Sequence, residues 1–307
     1  MAGFKITGWG IGLPEKVVTN ADLEETLDTN DAWIVERSGI RERRIGGTTA
    51  SLATLAGQAA MDVAGVTGAE IDCLILATTT PDKAVPGTST TVQDALGIAG
   101  GAFDINAACA GFVYGMVIAD GLFRAGAKRI LLVGAETLST ITDWDDRSTA
   151  VLFADGAGAL VLEATEDEGC LVSWDLGSDG SLNSILYADL GGYLTMEGKE
   201  VFRRAVRVVV DSANTVMEEA GLKPDDIALI VPHQANIRII QAACQRLNVE
   251  MERAVVVLDR YGNTSSASIP LALVDAIDNG RVHSGDLLLL TGFGAGMTWA
   301  SAVVRWP

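Results

Sequence analysis

Three side chains in this 307-residue sequence have the types needed for acyl transfer from a thioester: Cys109, His233 and Asn263. Cys109 lies in FDINAACAGF, where a short strand over 102–105 ends in small residues and an apolar helical run follows over 110–123. The thiol is thus expected at the N-terminal end of a helix that is apolar nearly all round and therefore buried. Free N–H groups and the positive dipole end favour a thiolate there. A thiolate is the nucleophile that attacks thioesters. The competing reading is one more buried cysteine. His233, in VPHQANIRI, follows a strand ending at Val231 and Pro232; the only other histidine, His283 in GRVHSGD, reads as a surface turn. Asn263 sits in DRYGNTSSAS between Gly262 and a Ser/Thr run, where turn and helix-cap chemistry would also account for it.

Taken together the three have a chemical logic. Cys109 would accept the acyl group. Its own backbone N–H and that of Ala295, in the glycine turn GFGAG, would hold the oxyanion of the tetrahedral intermediate. His233 and Asn263 supply two donors with no carboxylate beside them. Such a pair suits the enolate oxygen formed when a malonyl thioester loses carbon dioxide, and a nearby Glu or Asp would oppose that charge.

The elements that must position these groups repeat. Asp104 precedes small residues, an apolar helix reaching Asp120, a turn and the strand RILLVG; Asp259 precedes GNTSSAS, an apolar helix through Asp275, a turn and DLLLLTG. IDCLILATTT and IALIVPHQAN are each a strand running into a polar loop, and FADGAGALVLE and GFGAGMTWASAVVRW read as glycine-rich hairpins. The pattern predicts two similar layered α/β halves, 1–165 and 166–307, packed about a pseudo-twofold axis, with loops from both meeting in one site. Chance likeness between apolar α/β segments is the alternative.

Composition narrows the function. Twenty-two basic against 40 acidic residues give a net charge of −18, which argues against nucleic acid or an anionic membrane as partner. No apolar stretch approaches bilayer length. The four cysteines, Cys73, Cys109, Cys170 and Cys244, form no CxxC pair, so a reducing, cytoplasmic setting with no disulfide framework or metal cluster is expected. GWGIGLP and GFGAGMTW lack the strand–GxGxxG–helix context, so a dinucleotide is not expected.

The strings TNDAWIVERSGIRERR, AACAGF, DRSTAVLFADGAGA, LTMEGKEVF, VPHQANIRII, LDRYGNTSSASIP and GFGAGMTWASAVVRW resemble, essentially end to end, the decarboxylating condensing enzymes of the thiolase superfamily, and most closely the β-ketoacyl-acyl-carrier-protein synthase III family. The resemblance implies a thiolase-like α-β-α-β-α fold and a homodimer. It also implies an acyltransferase that condenses an acyl-CoA primer with malonyl-acyl-carrier protein to initiate fatty-acid synthesis. Cys109 would be the nucleophile, assisted by His233 and Asn263. Elongating synthases use two histidines, and a thiolase would carry a second cysteine near the glycine turn. Where the family's oxyanion turn reads GGG, this chain has Ala295 in the middle; its N–H survives.

By the same resemblance Trp33 and Arg147 would sandwich the adenine of coenzyme A and Arg37 would meet its phosphates, with Thr29, Gly198, Phe202 and Asn236 along the pantetheine tunnel. Coenzyme A is then a substrate, and no permanently bound cofactor is implied. Arg203, Arg204, Arg207, Arg238 and Arg246 form a candidate docking patch for the acidic acyl-carrier protein; helix-surface pairing with Asp and Glu is the alternative. Val85, donated across the dimer, and Phe153 and Leu194 would shape the acyl pocket. A related enzyme of specialised metabolism, with another primer or acceptor, is the alternative function.

Overall fold

The computed structural model describes residues 3–307. Residues 3–165 supply strands β1 (Gly3–Gly12), β2 (Cys73–Ala77), β3 (Gly101–Ile105), β4 (Arg129–Thr137) and β5 (Asp155–Thr165), hydrogen-bonded in the order β1-β5-β4-β2-β3. Strand β2 runs parallel to β3 and β4, while β5 runs antiparallel to β4 and β1. Residues 171–305 supply β6 (Leu171–Ser178), β7 (Leu229–Pro232), β8 (Leu287–Gly294) and β9 (Thr298–Arg305) in the order β7-β8-β9-β6. Here β7 is parallel to β8, and β9 is antiparallel to β8 and β6. A parallel bridge from Ile230 to Ala254 stands where β3 stands in the first sheet. Order and strand sense therefore repeat.

Seven helices matter for the layers: α1 (Asp31–Ser38), α2 (Thr49–Ala64), α3 (Thr88–Ala95), α4 (Gly111–Arg124), α5 (Gly198–Glu219), α6 (Ile237–Leu247) and α7 (Ser268–Asp278). Side chains alternate across a strand, so each sheet has two apolar faces to cover. Ile130 and Leu132 of β4 and Leu288 and Leu290 of β8 turn inward onto Phe112, Val113 and Met116 of α4 and Ile269, Ala272 and Leu273 of α7. The alternate residues Leu131 and Val133 turn outward onto Leu52, Ala56 and Ala60 of α2. Leu289 and Val303 face Val216 of α5 and Ile240 and Cys244 of α6. The result is the thiolase-like α-β-α-β-α sandwich. Each fully buried Leu, Ile or Phe contributes about 1.5–3 kcal/mol, which explains why both central helices are apolar all round. On β1, Gly8, Gly10 and Gly12 let α2 lie directly on the strand: a Cβ at Gly8 would come within 2.1 Å of Ala60 O, and one at Gly12 within 2.2 Å of Leu52 O.

Two details differ from the sequence expectation. GFGAGMTWASAVVRW is the β8–β9 hairpin, but FADGAGALVLE, from its Asp155 onward, lies within one long strand, β5, flanked by β1 and β4. The paired aspartates also occupy unlike places. Helices α4 and α7 start 157 residues apart, at 111 and 268, whereas Asp104 and Asp259 are 155 apart. Asp104 accepts the N–H groups of Thr88 and Ser89 at the start of α3, while Asp259 lies beside Arg260. The repeat resides in the topology, and the aspartate spacing is incidental to it.

Candidate active site

Cys109 stands on a tight elbow. Strand β3 stops at Ile105, the Asn106 Oδ1 accepts the Ala108 N–H at 3.1 Å, and Ala108 adopts a left-handed φ of 48°. One 3-10 turn, Ala108–Ala110, then enters α4. The second half repeats this elbow at Ser265, φ 47°, followed by the 3-10 turn Ser265–Ala267 and α7. Non-glycine residues avoid this region, and such strain persists where the surroundings enforce it. Gly294 closes the elbow from β8: a Cβ there would lie 2.5 Å from Cys109 N and 2.7 Å from Ala108 Cβ. Gly294→Ala is therefore expected to displace the nucleophile and lower turnover by about 10²-fold, since a displacement near 1 Å costs that much; steady-state kinetics beside a thermal melt would read it.

His233 follows β7, its N–H bonded to Thr291 O at 2.8 Å and its ring edge-on to Phe293. Its Nδ1 lies 2.6 Å from Ser268 Oγ, which also receives the Gln234 N–H at 3.3 Å. With that N–H already pointing at the oxygen, the Ser268 proton is free to go to Nδ1, leaving the hydrogen on Nε2. Burial holds the His233 pKa down to about 3, so the ring is neutral. Asn263 arrives through Gly262, whose φ of 63° and close neighbours Ala154 and Arg43 exclude a side chain. Its Oδ1 accepts the Ser265 N–H at 2.9 Å, so its NH2 is the end left to donate.

The groups converge. A cavity of about 420 Å³ is lined by Cys109, Ser265, Ala295, Thr79, Phe153 and Leu194, among others. His233 and Asn263 do not line it; they are 4% and 6% exposed and pack immediately behind. A Cβ built on Gly292 would lie 3.4 Å from Cys109 O and 3.5 Å from His233 Cβ, so one glycine separates the two. Asn263 bridges to Phe153 of the cavity wall.

Burial works against the preference that the helix end gives a thiolate. It is the largest cause, and it pushes the Cys109 thiol above its ordinary value, against the pull of the Ser265 hydroxyl and the local backbone N–H. Loss of hydration outweighs the helix end.

Around the expected coenzyme A mouth the contacts form a chain. Arg147 Cζ lies 4.8 Å and Arg37 Cζ 5.6 Å from the centre of the Trp33 ring. Arg147 thus rests over the indole ring, its Nη1 bonded to Asp28 O at 2.6 Å. Asn236 has both polar atoms engaged: it caps α6 through Arg238 N and donates to Arg37 O at 2.8 Å. Arg238 lies over the Phe202 ring. Thr29 Oγ1 is buried without a partner among the described residues, and Gly198 opens α5 on the exposed side.

The docking patch is partly neutralised. Arg203 and Arg204 both grip Glu200, at 2.7 Å each, and hold its carboxyl down to about 2. Arg207 lies 3.5 Å from Asp211, and Arg246 sits in the last turn of α6. Val85 is 84% exposed and does not line the chain's own cavity.

Sequence reasoning passed over Ser265, Ser268, Gln234 and Glu136, which read as turn, loop or strand residues with no periodic signal. Gln234 Oε1 accepts from Val257 and Leu258 N–H while its Nε2 donates to Pro232 and Val255 O, strapping the His233 loop to the 255–258 segment. Arg43, fully buried, donates to Val18 O, Asn20 Oδ1 and Val151 O below the Asn263 turn. Among the described residues no group of three or more His, Cys, Asp or Glu could hold a metal, and no helix is long and apolar enough to cross a membrane.

A doubled α/β sandwich with a cysteine elbow at the junction of its halves, a neutral histidine and an asparagine behind it, is the arrangement of a condensing enzyme of the thiolase-like class. Residues 103–180 match the family model described as 3-oxoacyl-[acyl-carrier-protein (ACP)] synthase III, and residues 217–306 match that of its C-terminal part. Beta-ketoacyl-[acyl-carrier-protein] synthase III of Roseiflexus sp. (strain RS-1) is 49% identical, with 98% of each chain covered. The crystal structure of 3-oxoacyl-[acyl-carrier-protein] synthase III from Aquifex aeolicus VF5 superposes with a TM-score of 0.97 at 47% identity, covering 99% of this chain and 100% of that one. The priming beta-ketosynthase from the R1128 polyketide pathway superposes at 0.94 with 35% identity, covering 99% and 96%. The chain belongs to the 3-oxoacyl-[acyl-carrier-protein] synthase III family, acyltransferases of the condensing type.

Proposed function

We propose that the chain condenses an acyl-CoA primer with malonyl-acyl-carrier protein through an acyl-Cys109 intermediate. The observation that carries this is the cavity shared by Cys109 and the Ala295 turn, with His233 next to Cys109 across Gly292 and Asn263 bridged to Phe153 of the wall. Cys109 sulfur attacks the thioester carbonyl, the Cys109 and Ala295 N–H groups hold the oxyanion, and the thiol proton leaves with free coenzyme A. Malonyl-acyl-carrier protein then loses carbon dioxide, and the enolate oxygen is held by His233 Nε2–H and the Asn263 amide. The enolate carbon attacks the acyl-cysteine, releasing the β-ketoacyl-carrier protein and a thiolate that regains a proton. Mass spectrometry after incubation with a panel of acyl-CoAs tests the first step: an adduct on Cys109 supports it, and no adduct with any primer refutes it.

Trp33, Arg37 and Arg147 would hold the adenine and phosphates, with Arg147 swinging off the indole first. Thr29, Gly198, Phe202 and Asn236 would flank the pantetheine, Asn236 through the chain position it fixes. Coenzyme A would act as substrate only. The halves 1–165 and 166–307 would be the units of the duplication. Two copies would join across β3, an open sheet edge that needs cover, and each would lend its exposed Val85 to the other's pocket beside Phe153 and Leu194. Four free, scattered cysteines favour the cytoplasm. Relatives at 46–49% identity carry the beta-ketoacyl synthase III name, which favours fatty-acid initiation over specialised metabolism.

Arg203, Arg207, Arg238 and Arg246 would meet the acidic carrier, with Arg238 foremost because its contact is an aromatic ring. Arg238→Glu with Arg203→Glu is expected to raise KM for malonyl-acyl-carrier protein and leave acylation by acyl-CoA nearly unchanged. Equal losses in both half-reactions would count against the patch.

A further inference from the structure

Glu136, on β4, is fully buried, and among the described residues none of its hydrogen-bond partners is a cation. Its Oε2 is saturated by donors: Thr79 N–H at 3.0 Å and the hydroxyls of Thr79 and Thr80 at 2.8 Å each. The Thr80 hydroxyl already accepts the Thr137 N–H, so its own proton is available for Oε2. Oε1 is different. It lies 2.7 Å from Ser266 Oγ, and that same Oγ lies 2.8 Å from Ala77 O. Two short oxygen–oxygen contacts need two protons, and a hydroxyl has one. The backbone carbonyl of Ala77 has none to give. If Ser266 donates to Ala77, the second proton must come from Glu136.

We propose that Glu136 is held as a neutral carboxylic acid, its proton on Oε1 donated to Ser266, and that it is a positioning residue clamping the Asn263-bearing turn of one half onto the Thr78–Thr80 loop of the other. An isolated buried carboxylate without a cation is costly, and burial indeed raises its pKa. The position gives the neutrality a use. Ser266 is next to Ser265, which lines the cavity and takes its N–H to Asn263; Gly134 of the same strand lets Ser266 O approach so closely that a Cβ there would meet it at 2.4 Å. In the condensing reaction, on which this functional part rests, negative charge develops on an oxyanion, an enolate and the Cys109 sulfur. A charged Glu136 just behind the turn would oppose all three; a neutral one fixes the turn without that cost. Among the described residues, Glu136 is the side chain whose charge would raise the Cys109 thiol, and His233 is neutral.

The sign with pH follows. The folded protein keeps a proton that the unfolded chain releases above the ordinary carboxyl range, so stability contributed by this group falls as pH rises from there toward the raised folded value.

Three measurements decide it. Difference infrared spectra of wild type minus Glu136→Gln, at neutral pH, are expected to show the carbonyl stretch of a protonated carboxyl; a carboxylate band in its place overturns the proposal. The pH profile of Cys109 alkylation is expected to be the same in wild type and Glu136→Gln; a shift to lower pH in the variant would reveal a lost negative charge and overturn it. Neither readout depends on the condensing reaction. Glu136→Gln, whose amide can donate to Ser266 and accept from Thr79 and Thr80, is expected to keep the wild-type rate, while Glu136→Leu strands those donors and loses at least about tenfold. Equal losses in Gln and Leu variants would refute the neutral clamp.

Discussion

Cys109→Ala is expected to lose acyl transfer by at least about 10⁴-fold, the scale seen when a covalent nucleophile is removed, while still releasing carbon dioxide from malonyl-acyl-carrier protein. The two outcomes separate because the sulfur and the donors have different supports. Removing the sulfur deletes the bond-forming atom and nothing else: alanine keeps the backbone N–H, the elbow and the fit against Gly294. His233 remains neutral and oriented by Ser268, and Asn263 remains tied to Ser265. Intact-protein mass spectrometry should find no acyl adduct, and a carbon dioxide assay without primer should find continued decarboxylation. Loss of both would mean that Cys109 also builds the enolate site.

His233→Ala and Asn263→Ala are each expected to lower decarboxylation by about 10²–10³-fold, the range for one oxyanion-type donor. The pair acts on one oxygen, so the double variant should fall well short of the product of the singles. Acylation of Cys109 by acyl-CoA should suffer less than decarboxylation in both. Asn263→Asp is the sharper variant. It keeps the Oδ1 contact to Ser265 N–H yet turns a carboxylate toward the developing enolate, so it should be worse than alanine above the carboxyl pKa. An aspartate variant better than alanine at neutral pH would contradict the donor role.

Much of the architecture is legible in the sequence because it is written in periodicity. The runs CLILA and LLLL read as strands covered on both faces, and the two mostly apolar helices read as central. The aspartate echo shows the limit of that reading: equal spacing arose from unlike jobs, one capping α3 and one beside Arg260. Cys109, His233 and Asn263 announce themselves through motifs at element ends. Ser268, Gln234 and Glu136 do not, because their partners lie tens to more than a hundred residues away and only the packed fold joins them. The protonation of Cys109 is not legible in the sequence for the same reason. The helix end is a local feature, readable from residues in a row; the desolvation that outweighs it belongs to the whole assembly.

The resting contact of Arg147 on Trp33 has a consequence for affinity. In the proposed binding mode an incoming purine would exchange one stacking partner of the indole for another, so its net gain would be only the difference between a cation and a nucleobase on that face. Recognition of the nucleotide end should accordingly be modest and sensitive to ionic strength. The same exchange would make Trp33 an intrinsic fluorophore whose emission is expected to change when the mouth fills, with no label attached.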